Sequence, residues 1–243
     1  MAHGKPDWGL VGPKQTIYGL DDVGEAVARL GSPVIWDRRG DIVLLDSFEY
    51  GTALSAPWTS GVGDSYNVYT GASRHGSLSM IAELVGAAGS RFTNIWTVCT
   101  TAEMVNGFEI SYSYGEHIEY LVFEIMYWDG VWENRARARY TVATADLDVQ
   151  LVGGAYQNLD NNLPLAVGID PIHVAKVVAD FGAGDYVRII MDERTYPIPG
   201  VPVMRVLGAG GPYIMARFFA TCDFGQSSQV IIDRVIVTQN EPV

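Results

Sequence analysis

The sequence predicts an all-β protein built from two antiparallel sheets that pack face to face, and three observations carry this prediction. From Asp41 onward the apolar residues mostly recur with a period of two, which is typical of half-buried strands. Turn signals rich in Gly and Asn separate these segments, and no long helical pattern interrupts them. The first and last apolar segments both carry acidic residues, as expected where two strands pair and close a sandwich.

Length and charge narrow the class of protein. A chain of 243 residues, 48% hydrophobic and 18% charged, can bury a sizeable core as one domain. The formal net charge of −12 argues against nucleic acid and anionic membranes as partners, because both attract clustered Lys and Arg. The N-terminus lacks the apolar core of a signal peptide, and no segment approaches the length of a membrane span. We therefore expect a soluble protein made in the cytoplasm.

Residues 1–40 are predicted to form an extended arm with one short helix. The first 20 residues are punctuated by Gly and Pro and show no periodicity. Over residues 21–30 the apolar residues recur at helical spacing, with Asp21 as the N-cap and Gly31 just beyond the last turn. A helix this short must dock on a larger surface. That surface is either its own sandwich or a neighbouring subunit.

Residues 41–243 are predicted to form the sandwich itself. The strands are expected near residues 42–49, 77–85, 92–100, 107–114, 119–128, 133–143, 146–152, 172–181, 185–191, 213–222 and 229–238. The Asp129-Gly130 pair indicates a hairpin, and Gly182-Ala183-Gly184 indicates a short loop between paired strands. Eleven strands without a long helix favour two antiparallel sheets in face-to-face contact.

Charged residues within the predicted strands are expected to face solvent or a cross-strand partner. Arg135, Arg137 and Arg139 alternate and would share one face of a sheet. That face is either solvated and paired across strands or a binding site for an anion. Lys176 and Arg188 are interpreted as solvent-facing charges of a central hairpin.

The two cysteines, Cys99 and Cys222, lie in apolar, strand-like surroundings. We expect buried thiols, although spacing alone does not decide whether two cysteines form a disulfide.

No catalytic motif is recognisable in the sequence. Glu119 and Glu124 are five residues apart and would point to opposite faces of their strand. Asp146 and Asp148 share a face but flank a turn, where Asp is common. Paired metal-binding histidines, a nucleophile elbow, a phosphate loop and a dinucleotide fingerprint are all missing. The sequence therefore predicts a protein that is not an enzyme.

Four short motifs, in this order, resemble those of a known family. They are Asp46-Ser47-Phe48-Glu49, Pro57-Trp58-Thr59-Ser60-Gly61, Ser73-Arg74-His75-Gly76-Ser77-Leu78 and Ile232-Asp233-Arg234-Val235-Ile236-Val237. The order resembles that of jelly-roll carbohydrate-binding modules and their concanavalin A-like relatives, over residues 41–243. The resemblance implies an antiparallel two-sheet jelly-roll β-sandwich.

The resemblance also implies a structural calcium ion between the closing strands. Glu49 and Asp233 match the family's carboxylates on the first and last strands, and Asp46 with loop carbonyls could complete an oxygen shell. In the alternative interpretation, Glu49 and Asp233 pair with Arg74 or Arg234, or face water. Beyond this calcium, no cofactor is expected.

A sugar-binding face is the second implication of the resemblance, because jelly-roll modules stack sugar rings on exposed aromatic side chains. The candidates are Tyr112, Tyr114 and Trp128, and the two tyrosines fall on one face of their strand. Aromatic residues in strands also form the core or pair across strands, so this alternative stays open.

A narrower resemblance concerns the stretch from Tyr18 to Asp41, which is similar to the N-terminal stretch of uncharacterised jelly-roll structural proteins of tailed phages and prophages. It implies a non-enzymatic virion protein, such as a capsid decoration or tail-associated component, assembled in the host cytoplasm. Its partners would be capsid or tail proteins and further copies of itself. The alternative function is a carbohydrate-binding module or lectin.

Overall fold

The structure, a computed structural model, describes residues 40–49, 58–60, 65–71, 73, 77–84, 91–100, 103–208 and 211–243. The chain divides into two units, Met1–Arg39 and Gly40–Val243, and the description below concerns the second. The predicted helix over residues 21–30 lies outside the described residues, and the docking of the arm stays a prediction.

The described residues form sixteen β-strands and no helix. The strands are β1 (Asp41–Asp46), β2 (Trp58–Ser60), β3 (Ser65–Tyr69), β4 (Ser79–Leu84), β5 (Arg91–Cys99), β6 (Val105–Tyr114), β7 (Ile118–Trp128), β8 (Trp132–Thr141), β9 (Asp146–Gln150), β10 (Tyr156–Asp160), β11 (Gly168–Asp180), β12 (Asp185–Met191), β13 (Arg194–Pro197), β14 (Met204–Leu207), β15 (Tyr213–Cys222) and β16 (Ser228–Gln239). In this part of the chain, therefore, no helix is available to span a membrane.

The strands form two eight-stranded sheets in which the pairing is antiparallel. Sheet A has the order β13-β12-β11-β6-β16-β4-β3, with β1 also paired to β16. Sheet B has the order β10-β9-β8-β7-β15-β5-β2, with β14 also paired to β8. Neighbours within each sheet are mostly distant in the chain, as in a jelly roll. The predicted fold class is confirmed.

The predicted closure of the sandwich is also confirmed, because the first and last strands pair. Leu45 lies opposite Ile236, and Asp46 lies opposite Val235. The same edge of β16 pairs with β4 over its first half, and the other edge pairs with β6 along most of its length. A long apolar strand near the C-terminus thus ties together three strands from the first half of the chain.

Eleven strands were expected, and the five that the pattern missed are β2, β3, β10, β13 and β14. Four of these are the outermost strands of the two sheet orders, and β14 is an extra strand beside β8. Each has only three to five residues. In a strand this short, the alternation of apolar and polar residues covers too few positions to be detected in the sequence.

Aromatic side chains from both sheets meet in the core between them. The ring of Tyr112 on β6 lies 5.1 Å from that of Phe123 on β7, and Phe123 lies 5.6 Å from Phe218 on β15. All three side chains are fully buried. Truncating a buried Phe to Ala in such a core destabilises a protein by about 3–5 kcal/mol. These contacts hold sheet B against sheet A. They therefore fix the position of the face of sheet B that points away from the core.

The prediction that Lys176 and Arg188 face solvent is wrong. Both side chains are buried, because Glu241 in the C-terminal tail supplies a carboxylate to them. Lys176 Nζ lies 2.8 Å from Glu241 Oε1, and Arg188 pairs with Glu241 Oε2. Arg188 also donates a hydrogen bond to the carbonyl of Pro242, at 2.7 Å. Their shared partner, Glu241, lies more than fifty residues away in the chain.

Within the described residues neither Cys99 nor Cys222 forms a disulfide. Cys99 lies opposite Ile214 at one end of β15, whereas Cys222 ends that strand. Eight residues of strand, about 27 Å at 3.4 Å per residue, separate the two positions. This separation excludes a bond between them.

Candidate functional site

One face of sheet B carries the most concentrated set of charged side chains. On β7, Phe123 and Ile125 point into the core, so Glu124 points away from it. The strand register places Glu124 directly opposite Arg137 on β8 and Arg217 on β15. We call this side, defined by Glu124, Arg137 and Arg217, the outer face of sheet B.

The carboxylate of Glu124 is shared by two guanidinium groups. Arg137 Nε donates a hydrogen bond to Glu124 Oε2 at 2.5 Å, and a terminal nitrogen of Arg217 lies 2.6 Å from Glu124 Oε1. The Glu124 side chain is fully buried, whereas those of Arg137 and Arg217 are 16% and 25% exposed. A buried carboxylate must be paired to remain charged, and here it has two partners. Glu124 therefore holds two arginines at the surface of the sheet.

The two arginines differ in how well their charge is compensated. Burial acts to lower the pKa of Arg137, but the charge of Glu124 and the hydrogen bonds that Arg137 donates to Tyr156 and Glu124 raise it overall. Burial lowers the pKa of Arg217, Glu124 opposes that change, and the neighbouring cations Arg137 and Arg135 lower it further. Both groups remain protonated at neutral pH. Arg217 shares its carboxylate partner, Glu124, with Arg137.

Two further arginines of β8 extend the cluster. A terminal nitrogen of Arg139 lies 2.8 Å from Asp148 Oδ2 on β9, and its guanidinium lies 3.7 Å above the ring centre of Tyr156. Arg135 pairs with Glu133 on its own strand. The predicted sharing of one face by the three arginines is correct, and each has a carboxylate partner. We call Arg135, Arg137, Arg139 and Arg217 the arginine cluster.

A buried tyrosine from sheet A forms hydrogen bonds to the backbone of sheet B beneath the cluster. The hydroxyl of Tyr186 on β12 accepts a hydrogen bond from the N–H of Arg137, at 2.9 Å. It donates one to the carbonyl of Gln150 on β9, at 2.8 Å. Burial raises the pKa of this phenol, so it stays neutral and keeps its proton to donate. Tyr186 thereby fixes the backbones of β8 and β9 relative to each other beside the cluster.

The side chain of Gln150 completes the site with an acceptor. Asp148 and Gln150 alternate with the core residues Leu147 and Val149, so Gln150 lies on the outer face of sheet B. Its side-chain amide nitrogen makes a long hydrogen bond of 3.4 Å to the carbonyl of Gly154. Its amide oxygen has no hydrogen-bond donor among the described residues, although the residue is only 7% exposed.

Aromatic rings border the cluster at the C-terminal end of β7. Trp128 packs against Tyr213 with ring centres 4.7 Å apart, and both are partly exposed. Beyond Leu121 the odd-numbered residues of β7 pack into the core, so the even-numbered ones lie on the outer face of sheet B, which places Trp128 there with Glu124. Trp128 was predicted as a sugar-binding residue. Its position suits that role, which stays a prediction.

The structure corrects the same prediction for Tyr112 and Tyr114. Both point into the core from β6 and are fully buried. The hydroxyl of Tyr112 contacts the sulfur of Met191 at 3.3 Å, and that of Tyr114 donates a hydrogen bond to the carbonyl of Leu165 at 3.2 Å. The two tyrosines do share one face, as expected, but it is the inner one. They cannot stack on a ligand.

The three predicted calcium ligands accept hydrogen bonds from loops near the closing strands. Glu49 Oε1 accepts bonds from the N–H groups of Ser77 and Leu78, both at 2.9 Å. Asp233 Oδ1 accepts one from the hydroxyl of Ser73, at 2.8 Å. Asp46 Oδ1 accepts one from the N–H of Phe48, at 2.8 Å.

Glu49 thus contacts residues 77 and 78, and Asp233 contacts residue 73, through hydrogen bonds. Among the described residues, however, no group of three His, Cys, Asp or Glu side chains is arranged to hold a metal ion. Carboxylates that accept backbone N–H bonds have partners without a cation. Calcium stays a prediction.

Sequence analysis did not identify Glu124 and Arg217 as site residues. Each is a lone charge in a strand of otherwise apolar character, Leu121–Tyr127 for Glu124 and Tyr213–Cys222 for Arg217. A lone charge within a buried strand requires a partner, so the sequence did indicate that each of these two residues is paired. That Arg217 and Glu124 are partners follows only from the adjacency of β15 and β7, which are distant in the chain.

Comparisons with known proteins identify the fold. No family model and no curated protein matches the chain. Among solved structures, endo-β-1,4-glucuronan lyase from the fungus Trichoderma reesei aligns with a TM-score of 0.55 and 6% identity, over 82% of this chain and 96% of that one. A native glycosidic hydrolase aligns with a TM-score of 0.51 and 14% identity, over 82% and 97%. The potassium-bound carbohydrate recognition domain of Emp46p reaches 0.47 and 12% identity, over 76% and 89%.

At these identities the likeness concerns the fold alone. The predicted resemblance to concanavalin A-like jelly-roll proteins is confirmed. The narrower resemblance to phage structural proteins stays a prediction.

The prediction that the chain is not an enzyme is overturned by these neighbours. A lyase and a glycosidic hydrolase share its fold, so the missing sequence motif does not separate this chain from enzymes. Catalytic residues of a sandwich are brought together by strand pairing, and their spacing in sequence need not follow a motif.

Proposed function

We propose that this chain binds a carbohydrate on the outer face of sheet B. The observation that carries the proposal is the row of hydrogen-bonding side chains across three neighbouring strands, Arg217, Glu124 and Arg137, at the centre of that face. Aromatic side chains border the arginine cluster at two places, with Tyr156 beneath Arg139 and Trp128 opposite Glu133, the partner of Arg135.

This combination suits the chemistry of a sugar ring. Sugar hydroxyl groups both donate and accept hydrogen bonds, and guanidinium and amide groups offer fixed donors and acceptors to them. The C–H faces of the ring pack on aromatic side chains such as Tyr156, which bring apolar area together with a polar edge. A site with a few converging polar groups beside aromatic walls is typical of small-molecule recognition.

The fold supports the same conclusion. Two solved structures that align with a TM-score above 0.5 are described as a glucuronan lyase and a glycosidic hydrolase, and both descriptions name glycan chemistry. The carbohydrate-binding alternative therefore has more support than the predicted virion role. The capsid or tail partners and the host-cytoplasm assembly predicted with that role stay predictions.

Affinity electrophoresis tests the proposal with soluble polysaccharides in the gel: a neutral glucan, a xylan, a mannan, a polyuronate and a sulfated galactan. We expect at least one polysaccharide to retard the wild-type protein and the Tyr156→Ala variant to lose most of that retardation. Tyr114→Phe changes a buried tyrosine and should behave as wild type. Wild-type migration that no polysaccharide alters would contradict the proposal.

The same mixtures should be analysed for new reducing ends and for the ultraviolet absorbance of an unsaturated sugar. The first signal reports hydrolysis and the second reports β-elimination, so the pair determines whether binding is accompanied by cleavage.

A further inference from the structure

We propose that the saccharide bound on the outer face of sheet B is anionic, and that its carboxylate or sulfate groups are recognised by the arginine cluster. This inference rests on the proposed carbohydrate function and specifies its ligand class. Four observations carry it: the local charge, the unused donors, the exposure of the arginines and the neighbouring acceptor.

The local charge of the site is positive within a strongly acidic protein. The arginine cluster holds four of the sixteen Lys and Arg residues of the chain, whose formal net charge is −12. Three carboxylates pair with these four arginines, those of Glu124, Glu133 and Asp148. One positive charge is left over. Burial is the main cause of the lowered pKa of Arg217, and the neighbouring cations Arg137 and Arg135 lower it further, in keeping with this excess.

The guanidinium groups also have donors that no protein atom uses. Each guanidinium carries five N–H donors in a planar fork that matches a carboxylate or sulfate. The Nε atoms of Arg139 and Arg217 have no hydrogen-bond acceptor among the described residues, although both atoms are buried. Buried donors are almost always satisfied in native proteins. Their excess here indicates that the cluster is completed by an acceptor from outside the chain.

The arginines are accessible enough to meet such a ligand. The side chains of Arg135, Arg139 and Arg217 are 25–30% exposed, whereas Glu124, which positions two of the cluster, is fully buried. The carboxylates lie beneath or beside the guanidinium groups, and the cations form the accessible part. A ligand that approaches this face therefore meets positive charge first.

Gln150 indicates that the anion is part of a larger, hydroxyl-bearing molecule. Its amide oxygen needs a donor, which a fully deprotonated anion such as sulfate cannot supply at neutral pH. A sugar hydroxyl can donate to it once the weak 3.4 Å bond to Gly154 lets the amide turn. Tyr156 beside Arg139 adds an aromatic surface for the ring of that sugar. The arginines have unused donors, Gln150 has an acceptor without a donor, and Tyr156 offers an aromatic surface. An acidic saccharide matches all three.

Titration calorimetry with matched ligands tests this inference. The probes are glucuronan and the same polymer after chemical reduction of its carboxylates, and dextran sulfate with plain dextran. We expect at least one anionic form to bind about tenfold or more tightly than its neutral partner, because hydrogen bonds to charged groups are stronger than those between neutral groups. The affinity should fall as salt is added. A preference for glucuronan over its reduced form identifies carboxylate as the recognised group, and a preference for dextran sulfate over dextran identifies sulfate.

Variants locate the effect on the cluster. Arg217→Gln should remove most of the preference for the anionic form, whereas Arg205→Gln, an equal charge change at an exposed side chain on the other face of sheet B, should leave it unchanged. Gln150→Leu should weaken binding of the anionic and neutral forms alike. If Arg217→Gln fails to fold, Arg139→Gln takes its place in the same comparison.

The outcomes separate this inference from the proposed function. Equal affinity for the anionic and neutral forms would overturn the anionic inference while leaving carbohydrate binding in place. A wild-type protein that binds none of the four probes and none of the electrophoresis panel would overturn both. An anion preference that persists in Arg217→Gln and Arg139→Gln would place the recognition elsewhere and overturn the assignment to this face.

Discussion

Arg137 and Arg217 lie on opposite sides of a single buried carboxylate, that of Glu124, at nitrogen–oxygen distances of 2.5 and 2.6 Å. They reach it from the two strands that flank β7 in sheet B. Because one negative charge serves two cations, the arrangement positions both arginines and leaves positive charge at the surface. The stability of the sheet and the chemistry of its outer face therefore depend on the same residue.

Replacing Glu124 with Gln should lower the free energy of unfolding by about 3–5 kcal/mol, because removal of one partner leaves buried charges uncompensated. Urea denaturation followed by tryptophan fluorescence measures the change. Glu119→Gln on the same strand alters an exposed carboxylate and should change stability by less than about 0.5 kcal/mol. Equal effects of the two substitutions would show that Glu124 is not a buried ion-pair partner.

The C-terminal tail should be a second point of high sensitivity. Glu241→Gln removes the shared partner of Lys176 and Arg188, and we expect a loss of about 3–5 kcal/mol of stability. In a double-mutant cycle with Lys176→Met, the combined loss should be smaller than the sum of the two single losses. Strictly additive losses would mean that Lys176 and Glu241 do not interact in solution. Glu193→Gln, an exposed carboxylate, is the control.

His173 should make stability depend on pH. Its Nδ1 lies 2.7 Å from a carboxylate oxygen of Asp192 and its Nε2 lies 2.9 Å from the carbonyl of Ala166, so both nitrogens must carry a proton to donate. Burial alone would lower the pKa of His173, but the bonds to Asp192 and Ala166 and the charge of Asp192 raise it overall.

The sign of the pH effect follows from that raised pKa. The stabilisation is fully present below the unfolded value of about 6.5 and is lost as pH rises through the higher folded value. We expect the wild-type free energy of unfolding to fall relative to that of His173→Gln as pH increases from about 6 to about 9. Chemical denaturation of both proteins at several pH values measures the difference. A difference that stays constant over this range would contradict a protonated His173.

The calcium prediction has a direct test at Glu49 and Asp233. An ion that binds only the folded state raises stability by RT ln(1 + [L]/Kd), about 2.7 kcal/mol at a hundredfold excess over Kd. If calcium is bound there, excess EDTA should lower the melting temperature of the wild type by several degrees, and Glu49→Gln should respond little. An unchanged wild-type melting curve, with no metal found by elemental analysis, would leave Glu49 as a partner of the Ser77 and Leu78 amides only.

Sequence pattern predicted the long central strands because their apolar alternation reports the buried face directly. It placed Arg135, Arg137 and Arg139 on one face for the same reason. Strands such as β10 and β13 could not be predicted this way, because an edge strand of four or five residues need not alternate. For Tyr112 and Tyr114, alternation indicated a shared face but not whether that face was the inner or the outer one.

Partners across strands were the other part that the sequence could not supply. Glu124 pairs with Arg137 from the next strand, and a hairpin register could have suggested it. Its pairing with Arg217, and that of Glu241 with Arg188, depend on which distant strands lie side by side. That order is set by the packing of the whole sandwich, and no local pattern of residues reports it. The sequence therefore showed which charged residues lie in apolar strands, but it could not show the site that they form together.

Nuclear magnetic resonance of the arginine side chains tests the account most directly. The Nε–H signals of the protein should be recorded while the tightest-binding oligosaccharide from the matched probes is added. We expect the signals of Arg217 and Arg139, whose Nε atoms have no acceptor among the described residues, to shift on binding while that of Arg205 stays in place. Saturable binding that leaves the Arg217 and Arg139 signals unmoved would contradict a ligand site on the outer face of sheet B.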